Sequence, residues 1–115
     1  MTCIFCEVVA GLAPSTPVAE SAHAYAFRDT APQAPVHVLV VPREHVRSAH
    51  DVTPERAHLL SEVVLLAQEV ARKEGIDGPE RGYRLVLNVG PDANMSVDHL
   101  HLHVLGGRAM GWPPG

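Results

Sequence analysis

Three histidines stand at alternate positions near the C-terminus, in His99-Leu100-His101-Leu102-His103-Val104-Leu105. In a strand, successive side chains point to opposite faces. The three imidazoles would then share one face at intervals of about 6.6 Å, with Leu100, Leu102 and Val104 on the other. A row of imidazoles is a poor strand face for stability alone: each buried ring needs hydrogen-bond partners and each exposed one forfeits burial. Two chemical uses remain. Imidazole is the commonest metal ligand, and alternate histidines on a strand can supply two ligands to a catalytic zinc. It is also a nucleophile and a general acid or base near neutral pH. One strand can combine both uses.

A second feature is Cys3-Ile4-Phe5-Cys6. With no second C-x-x-C pair, a four-cysteine zinc site is excluded, and a closed tetrahedral site on these thiolates needs histidine for its other two ligands. A thioredoxin-like use is weakened because no strand precedes the pair. A third feature is the loop Asn88-Val89-Gly90-Pro91-Asp92-Ala93-Asn94-Met95-Ser96, just ahead of the histidines. Asn88 and Ser96 offer side-chain donors, and free backbone N–H groups in such a loop can face an anion.

The elements that must position these residues follow from length and pattern. A chain of 115 residues, 46 % hydrophobic and 19 % charged, suits one compact domain with a core of its own. Nine Lys and Arg against thirteen Asp and Glu give 9 − 13 = −4, with no basic run, so nucleic acid is not an expected partner. No stretch approaches the ~18 uncharged apolar residues of a membrane span. The first residues lack the basic and apolar regions of a signal peptide, so a cytoplasmic location is expected.

Thr2 is placed to cap a short helix running through Ala10 and ended by Gly11. Val18 to Glu20 and Ala24 to Arg28 read as strands across a turn at Ser21-Ala22-His23, and His37 to Val41 as a central strand stopped by Pro42. The long helix is expected to start with Thr53 as N-cap and Pro54 in its first turn. Leu60, Val63, Val64, Ala67, Val70 and Ala71 form its apolar stripe, widened by Leu59 and Leu66, and Gly75 follows its last turn. Tyr83 to Asn88 and His99 to Leu105 complete the strands. The connections are mostly too short for parallel crossovers, which favours an α+β fold built on an antiparallel sheet.

The run His99-Leu100-His101-Leu102-His103-Val104-Leu105-Gly106-Gly107-Arg108 with the ending Trp112-Pro113-Pro114-Gly115 resembles the histidine triad (HIT) family. More narrowly it resembles the histidine triad nucleotide-binding branch, with further matches at Pro32-Gln33-Ala34-Pro35-Val36-His37 and Gly82-Tyr83-Arg84-Leu85-Val86-Leu87-Asn88. The resemblance implies a single HIT domain over 1–115: a five-stranded antiparallel sheet with one long and one short helix, two such sheets joined in a homodimer. The tail 106–115 would complete the active site. It also implies a hydrolase or transferase of the nucleoside phosphoramidase type, acting on purine nucleoside monophosphates linked through phosphorus.

Under that resemblance His101 attacks the α-phosphorus to give a nucleotidyl-histidine intermediate, from which water releases the nucleoside monophosphate. A neighbouring carbonyl orients the His101 ring. His103, Asn88 and Ser96 contact phosphate oxygens, and His37 supports the triad. Asp29 accepts the ribose hydroxyls, Ile4, Phe5, Val8 and Phe27 form the slot for the base, and Trp112 belongs to the tail that reaches the partner's site. A structural zinc, one per chain, would be held by Cys3, Cys6, His45 and His99, leaving His23, His50 and His58 as surface residues. The family usually has Gly-Gly-Gln before the Ser-Val pair, where this chain has Ala93-Asn94-Met95. Asn tolerates a left-handed backbone, but Met95 has no donor for a leaving group. That departure supports the alternative of a low-turnover nucleotide- or zinc-binding regulatory module. A catalytic zinc held by the triad is a third reading.

Overall fold

The computed structural model describes residues 3–115. Five strands form one antiparallel sheet in the order β1-β2-β3-β5-β4: β1 (Pro17–Glu20), β2 (Ala24–Arg28), β3 (Val36–Pro42), β4 (Tyr83–Leu87) and β5 (Leu102–Gly106). Two helices cover it, α1 (Ile4–Val9) and α2 (His58–Glu74). No helix is long and apolar enough to cross a membrane, among the described residues.

The two faces of the sheet separate by residue parity. In β3, Val38 and Val40 point into the larger core with Leu100, Leu102 and Val104, where Leu59, Val63, Leu66, Ala67, Val70 and Ala71 of α2 meet them. Leu39 and Val41 point the other way, into a smaller cluster with Phe5 and Val8 of α1 and Phe27 of β2. In the β3–β5 register Leu39 lies opposite His103 and His37 opposite Leu105. His37 and His103 are therefore diagonal neighbours on the α1 face. The apolar stripe of α2 thus fixes which face of the sheet is left for polar side chains.

Most termini of these elements fall within a residue of the sequence expectation, and three starts depart from it. Thr2 lies outside the described residues; the N-cap of α1 is Cys3, whose sulfur accepts from the Cys6 N–H. Thr53 and Pro54 begin not α2 but a short 3₁₀ turn, Pro54–Arg56, and Thr53 makes no side-chain capping bond. That tighter turn directs Arg56 back to the Glu44 carboxylate (2.6 Å) and the His45 carbonyl (2.7 Å) before α2 begins at His58. The last strand begins at Leu102 rather than His99. Pro42 ends β3 without an N–H to offer. The Leu100 N–H instead donates to the Val46 carbonyl at 2.7 Å, so His99 to His101 continue the chain beyond the ladder. Gly75 closes α2 in the left-handed conformation as expected, with Arg72 and Lys73 in its last turn.

Candidate functional site

The three alternate histidines keep to the α1 face even where the ladder stops, but they serve two separate clusters. His101 is buried, and its Nδ1–H donates to the His99 carbonyl at 2.7 Å. That bond leaves Nε2 as the ring atom free for chemistry. Phe5 stands edge-on to the ring, with centroids 5.2 Å apart, and His103 lies beside it at 5.0 Å.

A chain of fixed tautomers runs through the neighbouring histidines. The Gln33 backbone N–H donates to His37 Nδ1 at 3.0 Å, so His37 carries its proton on Nε2. That N–H faces His103 Nδ1 at 2.9 Å and Asp29 Oδ2 at 3.3 Å. His103 Nδ1 is then an acceptor, which puts the His103 proton on Nε2. His103 Nε2 is buried and has no partner among the described residues. A buried donor without a partner is rare, because it forgoes the hydrogen bond it would make in water. It is an unsatisfied donor on a ring whose centroid lies 5.0 Å from that of His101. Burial, reinforced by His101 and His37, holds the His103 pKa down at about 4 against the pull of Asp29, and burial likewise lowers His37. Both rings are neutral at pH 7, as the tautomer chain requires.

The second cluster gathers Cys3, Cys6, His45 and His99. Their ligand atoms lie within 4.8 Å of one another. His99 Nδ1 is 3.4 Å from Cys3 Sγ, 3.5 Å from Cys6 Sγ and 3.1 Å from His45 Nδ1, and Cys6 Sγ is 3.3 Å from His45 Nδ1. A tetrahedral zinc bonded at ~2.3 Å to sulfur and ~2.0–2.1 Å to nitrogen makes S–N edges of about 3.6 Å and N–N edges of about 3.3 Å. The four residues fit such an ion. The His99 ring is also aimed for it: Nε2–H donates to the Pro42 carbonyl at 2.9 Å, which leaves the Nδ1 lone pair facing the cluster. Burial keeps the His99 imidazole neutral and raises the Cys6 thiol, with Cys3 beside it adding to the rise, so metal binding here displaces a thiol proton. His101 belongs neither to this group nor to Asp29, His37 and His103, the other residues whose ligand atoms lie within 4.8 Å of one another.

The remaining predicted residues divide. Phe5, Val8 and Phe27 are buried together, Phe5 and Phe27 meeting edge to face at 5.4 Å, whereas Ile4 is 48 % exposed. Asp29 Oδ1 accepts from the Ala31 N–H (2.8 Å) and its other oxygen lies by His37. Asn88 is half-buried just past β4, and exposed Ser96 lines a cleft with Cys3, Ile4, Cys6 and His45. Asn94 adopts the left-handed conformation (φ 61°) that its side chain tolerates. Trp112 is 84 % exposed and makes no aromatic pairing among the described residues, on a tail tied to β4 by the Arg84 guanidinium and the Gly111 carbonyl at 2.8 Å. His23, His50 and His58 are exposed. Sequence reasoning did not single out Gln33 or Pro42, which act through backbone groups, or Arg56, which holds the His45 carbonyl. Pro42 left a signal only as the stop to a strand, and Gln33 only as a member of the matched run Pro32 to His37.

The model of the HIT domain family matches residues 10–110. The chain is 40 % identical over 114 residues to a protein of Brassica juncea named 14 kDa zinc-binding protein, covering 97 % of this chain and 98 % of that one. Among solved structures it is similar to a HIT family hydrolase from Legionella pneumophila, with a TM-score of 0.93, 44 % identity, and coverage of 99 % and 100 % of the two chains. It is also similar to a histidine triad nucleotide-binding protein from Candida albicans, with a TM-score of 0.74, 33 % identity, and coverage of 97 % and 83 %.

Proposed function

This chain belongs to the HIT domain family, and from that premise we propose that it is a purine nucleotide-binding hydrolase or transferase of the nucleoside phosphoramidase type. It cleaves a P–N or related bond at the α-phosphorus through a nucleotidyl-histidine on His101. The observation that carries this reading is the pairing of an oriented nucleophile, with His101 Nδ1–H on the His99 carbonyl, and an unpartnered buried donor at His103 Nε2. The names of the hydrolase and nucleotide-binding proteins that it resembles support it.

His101 Nε2 attacks phosphorus; the Nε2–P bond forms as the P–N bond breaks, and the departing amine takes its proton from solvent water. The positive charge on the nucleotidyl-imidazole is stabilised through Nδ1–H by the His99 carbonyl. The developing phosphoryl charge is met by His103 Nε2–H, with Asn88 and Ser96 as further donors from the loop. His37 keeps His103 in the donating tautomer and so acts through it. Asp29 binds the ribose hydroxyls, and Phe5, Val8 and Phe27, with Ile4 at the rim, receive the purine. Water then attacks phosphorus, the Nε2–P bond breaks, and the nucleoside monophosphate leaves.

Zinc is the ion proposed for Cys3, Cys6, His45 and His99, one per chain. When bound it supplies a closed cross-link between α1, the segment after β3 and the approach to β5. The whole chain, 1–115, forms one HIT domain that works as a homodimer. Its edge strand β4 offers a backbone edge on which a second sheet can continue the first, with Leu85, Leu87 and, just beyond the strand, Val89 exposed in an alternating row beside it. The tail 106–115, with Trp112, then completes the partner's active site. Sedimentation equilibrium tests the dimer, which requires twice the 12.4 kDa chain mass. The activity is tested by nucleotidyl capture on native protein beside His101→Ala. Nucleotide binding without any adduct on the native protein would favour the low-turnover module, with Met95 as the reason.

A further inference from the structure

Two of the groups that His101 touches are each tied to the Cys-His cluster by their own stretch of chain. One is the His99 carbonyl, which accepts from His101 Nδ1 while the imidazole of the same residue faces the two thiols. The other is Phe5, edge-on to His101 at 5.2 Å and to His99 at 6.0 Å, and flanked in sequence by Cys3 and Cys6. Helix α1, only six residues long, is otherwise fastened by the small apolar cluster of Phe5 and Val8 on Phe27, Leu39 and Val41. An isolated helix of that length has no stability of its own.

We propose that His99 and Phe5 form a clamp through which occupancy of the Cys3, Cys6, His45 and His99 cluster sets the orientation and Nδ1–H tautomer of His101. The inference rests on the nucleophile assignment above and adds that the remote cluster governs it. With the four donors drawn together on one ion, the His99 main chain and α1 are both anchored, and the His101 ring is held between a fixed acceptor and a fixed wall. With the cluster empty, both ends of the clamp lose that tether. The ring can then turn or take the Nε2–H tautomer, in which the attacking lone pair is lost. His99 and Phe5 are therefore positioning residues and touch no reacting atom.

The test uses the full chain with ¹⁵N-labelled histidine, loaded with zinc, chelated, and as the Cys6→Ser variant, each checked for folding by circular dichroism. Long-range ¹H–¹⁵N spectra read the His101 tautomer directly. The expected result is one Nδ1–H tautomer in the loaded protein and a mixture in the other two, with kcat reduced about 10–100-fold and KM unchanged, the scale of losing an outer-shell support. Should the emptied protein unfold, cobalt affinity decides, since coupling between two sites is reciprocal. His101→Ala should then weaken cobalt binding about fivefold or more, whereas Glu69→Ala, on the exposed side of α2, should not. An unchanged tautomer in the folded, emptied protein overturns the proposal, as does equal cobalt affinity in all three proteins. A loaded native protein that forms no nucleotidyl adduct would instead overturn the phosphoramidase reading, and the tautomer and cobalt measurements would still decide the clamp.

Discussion

Acid should destabilise this protein through His103. Its pKa is held at about 4, chiefly by burial and then by His101 and His37, while an unfolded chain has 6.5. The unfolded state therefore takes up this proton first. The stability contribution is intact above pH 6.5, falls as pH drops from 6.5 to 4, and levels off below. The difference, 6.5 − 4 = 2.5 pK units, is worth about 3 kcal/mol at ~1.4 kcal/mol per unit. His37 and His99, also lowered by burial, lose stability in the same direction, and so does any metal held at the cysteines. The assay must isolate one ring. Urea unfolding of native protein and His103→Gln across pH 7 to 4 does so, because glutamine can still accept from His37 Nε2–H but does not titrate. The native protein should lose about 3 kcal/mol relative to the variant over that range. A difference constant to within about 0.5 kcal/mol would refute the buried neutral His103, and the tautomer chain with it.

Other predictions follow from single contacts. His37→Ala strands His103 Nδ1 and the Gln33 N–H; denaturant melts should show a loss of about 1–3 kcal/mol, and kcat should fall while nucleotide still binds. Gly107→Ala should cost about 2–3 kcal/mol in thermal unfolding, since φ is +90° and a Cβ there would lie 2.8 Å from the Pro35 ring. Deleting Trp112 to Gly115 should change relative kcat/KM among leaving groups more than it changes Tm, and wild-type kinetics on every substrate would contradict the tail's role.

The parts of this structure that were legible in the sequence are those written as periodicity. The 3.6-residue stripe of α2 and the alternation of β5 name core residues, because burial on one face is what those periods encode. Strand order is not encoded that way: β5 inserts between β3 and β4, and only pairing of whole strands decides it. The local ends fared worse. Thr53-Pro54 is a good start signal for a helix, yet Arg56 draws that turn onto Glu44 and His45, a tertiary tie that no local pattern contains. At His99 the alternation outlasts the ladder because Pro42 withdraws the partner N–H. In the site, side-chain types were readable and backbone roles were not. Cys3, Cys6, His45 and His99 lie together in the structure, and so do His37, His101 and His103. The Gln33 N–H and Pro42 carbonyl, which fix two tautomers, come from groups that every residue type shares. Ile4 and Trp112 stay exposed in the single chain, where a second protomer and a bound purine are the surfaces proposed to cover them.

The most direct measurement is intact-protein mass seconds after mixing with an adenosine phosphoramidate, beside His101→Ala. The account predicts an increment of one nucleotidyl group on the native protein and none on the variant, although both bind nucleotide. An adduct that persists on His101→Ala, or its absence on native protein that also releases no nucleoside monophosphate over a long incubation, would contradict His101 as the nucleophile.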